Sequence, residues 1–264
     1  GGGGQPSPPL GIAICFSSEN TAQLANGEKK NFDQLQLGDK VLTQNGFESI
    51  YSFGHYNPEE QGQFVQLLPS HIELSSTHMI FLQDGRAVIA DSVEVGDILM
   101  SGEVVTGKRY VTSKGLFAPF TASGTIVANG QLASSYVSLQ GTSELEINGW
   151  STGFSYQWMA HAFEVPHRLW CLMMGGACLK ESYKYDGIST WVSMPQKFFT
   201  WYLKSHTLTQ VLLAVPILSL FVTLSMLDYV TMDDQNQAVA VTCFVIAMAY
   251  LYSQCRIRSM KKCD

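Results

Sequence analysis

Between residues 15 and 141 the apolar positions come in short runs, and no stretch keeps a helical period for more than about one turn. Lys40-Val41-Leu42-Thr43, Phe64-Val65-Gln66-Leu67-Leu68, Met79-Ile80-Phe81-Leu82 and Thr125-Ile126-Val127-Ala128 are rich in residues that suit a pleated, half-buried surface. Asn26-Gly27, Asn45-Gly46, Asp84-Gly85, Ser123-Gly124 and Asn129-Gly130 separate them, dipeptides that reverse the chain tightly. This spacing predicts an all-β domain over residues 12–141, opened by the apolar run Ile12-Ala13-Ile14-Cys15-Phe16. Within it, Asp33–Leu37 predicts a single helical turn.

The pattern also repeats. Asp33-Gln34-Leu35-Gln36-Leu37-Gly38-Asp39-Lys40-Val41-Leu42 and Asp91-Ser92-Val93-Glu94-Val95-Gly96-Asp97-Ile98-Leu99-Met100 share Asp-x-apolar-x-apolar-Gly-Asp-x-apolar-apolar. The apolar pair staples a tight turn, glycine permits its backbone, and aspartate anchors it by local hydrogen bonds. Two copies predict two related halves about a pseudo-two-fold axis.

After residue 141 the character changes. Residues 142–205 are aromatic and amphipathic, from Ser155-Tyr156-Gln157-Trp158-Met159 to Phe198-Phe199-Thr200-Trp201-Tyr202-Leu203-Lys204, and predict a helical tail. Thr207 to Leu227 is charge-free and long enough, at ~1.5 Å per residue, to cross a hydrocarbon core of ~30 Å. A second span, Gln237 to Gln254, follows Asp228, Asp233 and Asp234, and Arg256, Arg258, Lys261 and Lys262 come after it. Residues 206–264 therefore predict a transmembrane hairpin with a basic end, in contact with membrane lipids. Residues 1–11, rich in Gly and Pro, read as a flexible linker to something upstream.

Charge narrows the partners. A net charge of −6, without interleaved basic and aromatic runs, argues against nucleic acid. The six cysteines include no C-x-x-C pair, so no zinc site is expected. Cys171 and Cys178 fit either a disulfide or two small buried thiols, the plainer reading being the thiols. His71 reads as a strand-surface residue. His161 and His167 lack a completing ligand, so neither metal nor cofactor is expected.

The candidate chemistry lies in Cys15 and in Ser75-Ser76-Thr77-His78. A thiol just after a peptide bond can attack the preceding carbonyl through a five-membered transition state and leave a thioester. His78 can protonate the departing amide nitrogen, and the Ser75 hydroxyl can hold that amide.

Cys15, the Ala25-Asn26-Gly27-Glu28 turn, Asp33 to Leu42, and Leu74-Ser75-Ser76-Thr77-His78-Met79-Ile80-Phe81 together resemble the Hint domain shared by hedgehog autoprocessing domains and inteins. Val95-Gly96-Asp97-Ile98-Leu99 and the segment Pro119 to Tyr136 resemble the hedgehog branch. The resemblance covers Cys15 to Tyr136 and runs more faintly from His161 through Arg168 to Gly187. It implies a mainly β, horseshoe-like fold and self-cleavage of the Ile14–Cys15 bond through a thioester. The chain's own N-terminal segment is then the substrate, and a sterol or water the acceptor. Ser75 replaces the usual Thr and keeps the hydroxyl. His55 stands where hedgehogs carry an Asp, and its imidazole can serve as base for the second step. Ser135 replaces a further Cys, and Ile14, in place of a small residue, crowds the reacting carbonyl. The His-Asn ending that intein splicing requires does not follow Tyr136. The resemblance further implies a membrane location, in the secretory pathway or at the cell surface. The competing expectation is a membrane-anchored Hint scaffold that displays its upstream segment uncut.

Overall fold

The computed structural model describes residues 15–174, 178 and 182–232. In chain order the strands are β1 (Thr21–Gln23), β2 (Lys29–Asn31), β3 (Lys40–Thr43), β4 (Gly46–Ser49), β5 (Ser52–Leu68), β6 (Ile72–Leu74), β7 (His78–Phe81), β8 (Ala87–Ile89), β9 (Gly107–Phe120), β10 (Thr125–Ala128), β11 (Gln131–Val137), β12 (Glu144–Ile147) and β13 (Trp150–Ser155). The helices are α1 (Tyr156–Phe163), α2 (Val165–Met173), α3 (Thr190–Lys204) and α4 (Thr207–Met232). The fold is mainly β, as the short apolar runs predict, with the helices gathered after the strands.

Two sheets carry the architecture. One has the order β2-β1-β10-β11-β7-β8, and the other is β6-β5-β9. The long strands β5 and β9 pair antiparallel from Ser52↔Phe120 to Leu68↔Gly107. Between the pairs Phe53↔Pro119 and Tyr56↔Phe117, β5 holds one residue more than β9. This is a bulge at Gly54-His55, a device that re-aims a side chain out of the regular alternation. The main core is built from residues of both sheets, such as Val65, Leu67, Ile80 and Phe117, together with Phe16, Phe32, Val41 and Ile50 from outside them.

The repeated turn is built twice in the same way. A short 3-10 turn opens each copy, at Phe32–Gln34 and Ala90–Ser92. The Asp39 carboxylate accepts from the Gln36 N–H at 3.0 Å, and Asp97 accepts from the Glu94 N–H at 2.9 Å. Gly38 and Gly96 adopt φ of 87° and 103°, which side chains disfavour, and both amides donate across at 2.8 Å, to Ile50 and Val105. Leu35 and Val93 are the buried staples.

Three features depart from expectation. Residues 142–155, read as part of a helical tail, form the β12–β13 hairpin around Asn148-Gly149, both at positive φ. The signal was there: Glu144-Leu145-Glu146-Ile147 alternates with period two before an Asn-Gly turn. His71 lies in a turn at φ 56° rather than on a strand, its carbonyl accepting from Asn129. Cys171 and Cys178 form a disulfide, with Cα atoms 4.9 Å apart, where buried thiols were the plainer reading. Residue 178 is brought back by its backbone N–H, which donates to the Tyr51 carbonyl at 2.8 Å.

The first charge-free span is helix α4. Thr207–Thr231, whose most apolar 18-residue window has a mean hydropathy of 2.2, is long and apolar enough to cross a membrane. One stripe of it, Leu213, Ile217, Phe221 and Leu224, packs on the aromatic core around Trp158 and Phe199. Asp228 extends the stripe and pairs with Arg168 at 2.6 Å and with His161 at 3.1 Å. The second span, the linker and Ile14 lie outside the described residues.

Candidate active site

Cys15 and Phe16 are threaded between strands of the smaller sheet. Phe16 bridges Phe117 of β9 through both of its backbone groups, at 2.8 and 3.0 Å. The Cys15 carbonyl accepts from the Ser75 N–H at 3.0 Å. Cys15 is completely buried, so its thiol sits at a fixed place rather than on a swinging terminus.

Ser75 and His78 meet because three residues is the span of a β-turn. The His78 N–H donates back to the Ser75 carbonyl at 2.9 Å, closing Ser75-Ser76-Thr77-His78 at the entry to β7. The turn delivers the Ser75 hydroxyl to the Cys15 backbone N–H, which donates to Oγ at 3.3 Å. The His78 ring packs edge-on against Phe16, with centroids 4.3 Å apart.

His78 Nε2 lies 2.7 Å from the Ser134 carbonyl of β11. A carbonyl only accepts, so Nε2 carries the hydrogen and Nδ1 the lone pair. That Nδ1 is buried with no hydrogen-bond partner among the described residues. Burial pushes the His78 imidazolium down to about 4 from an ordinary 6.5, and the Ser134 bond opposes this only in part. His78 is therefore neutral at neutral pH and strongly acidic once protonated.

Because unfolded His78 titrates near 6.5 and folded His78 near 4, the unfolded chain binds the extra proton as pH falls between them. The folded state should lose about 3 kcal/mol from this residue between pH 7 and pH 4. Urea midpoints measured over that range should fall further for the wild type than for His78→Gln. Parallel curves would show that His78 titrates normally.

His55 is where the structure adds most. The bulge in β5 turns its ring onto Cys15, with Nδ1 3.0 Å from Sγ. On the far side Nε2 is 2.7 Å from the Asp186 carbonyl, so Nε2 carries the hydrogen and Nδ1 offers its lone pair to the thiol. Burial lowers the His55 pKa from 6.5, opposed by the Asp186 hydrogen bond and by the Glu60 and Asp186 charges. The imidazole that contacts the thiol is thus His55, whereas the sequence had suggested it only for a later step. Ser75 lies instead on the backbone side of Cys15, and the His78 ring packs on Phe16, the next residue.

Behind the site runs a buried polar network with no clear signal in the sequence. Glu73 of β6 accepts from Ser17 Oγ and from Gln66 Nε2, each at 2.7 Å, and Asn20 is bonded to the Glu73 backbone on both sides. It ties the strand that follows Cys15 to the strand that precedes Ser75. Ser135 is buried, its Oγ without a hydrogen-bond partner among the described residues. It lines an apolar, half-open cavity of about 100 Å³ walled by residues such as Phe120, Tyr136, Met159, Phe163, Phe199 and Phe221. His167, Cys171 and Cys178 lie close enough for one metal ion, but the two sulfurs are bonded to each other.

A family profile described as "Hint module" matches residues 5–204. Protein hedgehog of Drosophila erecta is 35% identical over 147 residues, covering 46% of this chain and 31% of that protein. The Tiggy-winkle hedgehog protein of Danio rerio is 25% identical over 213 residues, covering 72% of this chain and 49% of that protein. The chain thus spans less than half the length of these relatives. Among solved structures, the gp41-1 intein is 16% identical with a TM-score of 0.39, over 46% of this chain and 98% of the intein.

Proposed function

From the chain's membership of the Hint module family, we propose hedgehog-type autoprocessing: the chain cuts its own Ile14–Cys15 peptide bond through a thioester and passes the N-terminal segment to an acceptor. The observation that carries this reading is the pair of contacts on Cys15, a base lone pair on its sulfur and a hydroxyl on its amide N–H.

The proton balance assigns the roles. His55 Nδ1 takes the proton from the Cys15 thiol, and the thiolate adds to the Ile14 carbonyl carbon. The carbon–nitrogen bond then breaks, and the Cys15 nitrogen gains one proton as it leaves. His78 is neutral at rest, so as His55 gives up the thiol proton to solvent, His78 Nδ1 takes one up and passes it to that nitrogen, a transfer for which the low affinity of its buried ring suits it. Net, one proton moves from sulfur to nitrogen by way of the two imidazoles. Ser75 Oγ, as acceptor from the same N–H, holds the amide in position.

In the second step an acceptor hydroxyl attacks the thioester and the Cys15 thiol is regenerated. A sterol is the acceptor we favour over water. The apolar cavity supports this, since its wall includes Ser135, next to the Ser134 carbonyl that anchors His78. Helix α4 supports a membrane location, where such an acceptor is plentiful.

Purified chain with its leader, incubated with a small thiol, should yield a C-terminal fragment beginning at Cys15. The mass of the released N-terminal fragment identifies the acceptor as thiol, sterol or water. A single uncut species under these conditions would overturn the proposal. The thiol-trapped rate should be flat from pH 8 to about 6.5 and fall below that. His55 must be neutral to accept the thiol proton, and its folded pKa lies below the ordinary 6.5.

A further inference from the structure

Resting on the autoprocessing reading, we infer that the tail segment Tyr183–Ser189 is a positioning clamp for the base: it fixes the ring of His55 so that the Cys15 thiol meets a lone pair. No role for this segment follows from the β-domain chemistry itself, since it lies well over a hundred residues downstream of His55.

The clamp closes on the bulge. Opposite β9, the edge of β5 at Gly54-His55-Tyr56 is out of reach of β6, which pairs only with Val65, Gln66 and Leu67. The tail takes that edge instead. The Tyr56 N–H donates to the Gly187 carbonyl at 2.9 Å, and the Ser189 N–H donates to the Gly54 carbonyl at 3.0 Å. His55 and Ile188 form an antiparallel bridge. Within the tail, Gly187 donates to Lys184 and Lys184 to Ile188, each at 2.9 Å, so the segment is a small hairpin of its own. Its tip presents the Asp186 carbonyl to His55 Nε2.

The consequence is chemical as well as mechanical. A neutral imidazole has one hydrogen and one lone pair, and the nitrogen that faces a carbonyl must hold the hydrogen. With Asp186 in place, Nδ1 is the base. Without it, the tautomer with hydrogen on Nδ1 would present a donor to the thiol and could not take its proton. The clamp is also the source of one of the two charges acting on the ring: the Asp186 carboxylate joins Glu60 of β5, with the Cys15 thiol on the other side.

Gly187 is the point at which to test it. Its φ is +81°, and an added Cβ would lie 2.6 Å from the Tyr56 carbonyl oxygen and 3.0 Å from His55 Cδ2. Gly187→Ala should therefore push the hairpin off the ring. In the full chain, thiol-induced cleavage should slow at least tenfold at pH 7.5. Its pH profile should also change shape, rising steadily from pH 6.5 to about 8.5 as the thiol comes to ionise on its own. A general loss of stability would lower the rate without producing that slope. A variant with the wild-type rate and a flat profile overturns the clamp.

Should Gly187→Ala not fold, long-range imidazole 1H–15N spectra of the wild type give the answer directly. His55 with the hydrogen on Nε2 at pH 7.5 is the expected result, and the opposite tautomer overturns the clamp. Failure of the wild type to cleave, with His55 in the expected tautomer, would sink the autoprocessing reading while leaving the clamp intact.

Discussion

Cys15→Ala should give a chain that never cuts itself, at any pH and with any added thiol. The polar side chains described on Cys15 are the imidazole of His55 and the hydroxyl of Ser75, already engaged with Sγ and the backbone N–H, and Phe64 and Leu116 beside it carry no nucleophile. Cys15→Ser keeps a nucleophile but raises its pKa far above that of a thiol, so His55 cannot ionise it to any useful extent. It should form an ester slowly or not at all. Both variants should keep the fold, because each changes only one atom in the small cluster Cys15 shares with Phe64 and Leu116, while Phe16 fills the main core. Gel shift and intact mass over a day suffice as the assay. Cleavage by the alanine variant at the Ile14–Cys15 bond would rule out the thioester route.

The second large effect is expected at His78. Replacing it with Ala removes the proton donor for the leaving nitrogen, and positioned acids of this kind contribute about 10²–10⁴ in rate. The defect should fall on bond breakage and leave thiol activation intact. Alkylation of Cys15 by a small reagent should then proceed at the wild-type rate, while thiol-induced cleavage drops by that factor. For His55→Ala the order reverses: alkylation near pH 7 slows, because the thiol has lost its base. If both variants lower alkylation and cleavage in the same proportion, the two imidazoles do not have separate roles.

Parts of this site are legible from the chain because they obey local rules. Asp33–Leu42 and Asp91–Met100 follow the same turn chemistry, so the repeat can be read before any fold is known. Ser75 and His78 are joined by a single β-turn, so their spacing already states their proximity. His55 is different. Its position relative to Cys15 depends on a bulge in the pairing of β5 with β9 and on a hairpin from residue 184 onward, neither of which has a local signature at position 55. The family comparison suggested a base there for the second step; only the three-dimensional register puts the ring on the thiol. The Cys171–Cys178 disulfide was illegible for a similar reason, since a spacing of seven does not reveal that the chain doubles back to Tyr51.

The way Cys15 is seated says something about what becomes of the protein after it has acted. The bonds described on this residue include those from Ser75, from His55 and, through Phe16, from Phe117, all of them residues C-terminal to it. Nothing in that grip depends on the identity of what departs. Foreign sequences grafted ahead of an unchanged Ile14 should be released as readily as the native one. The remnant left behind should melt at the same temperature as its precursor, a used device still set in its firing position.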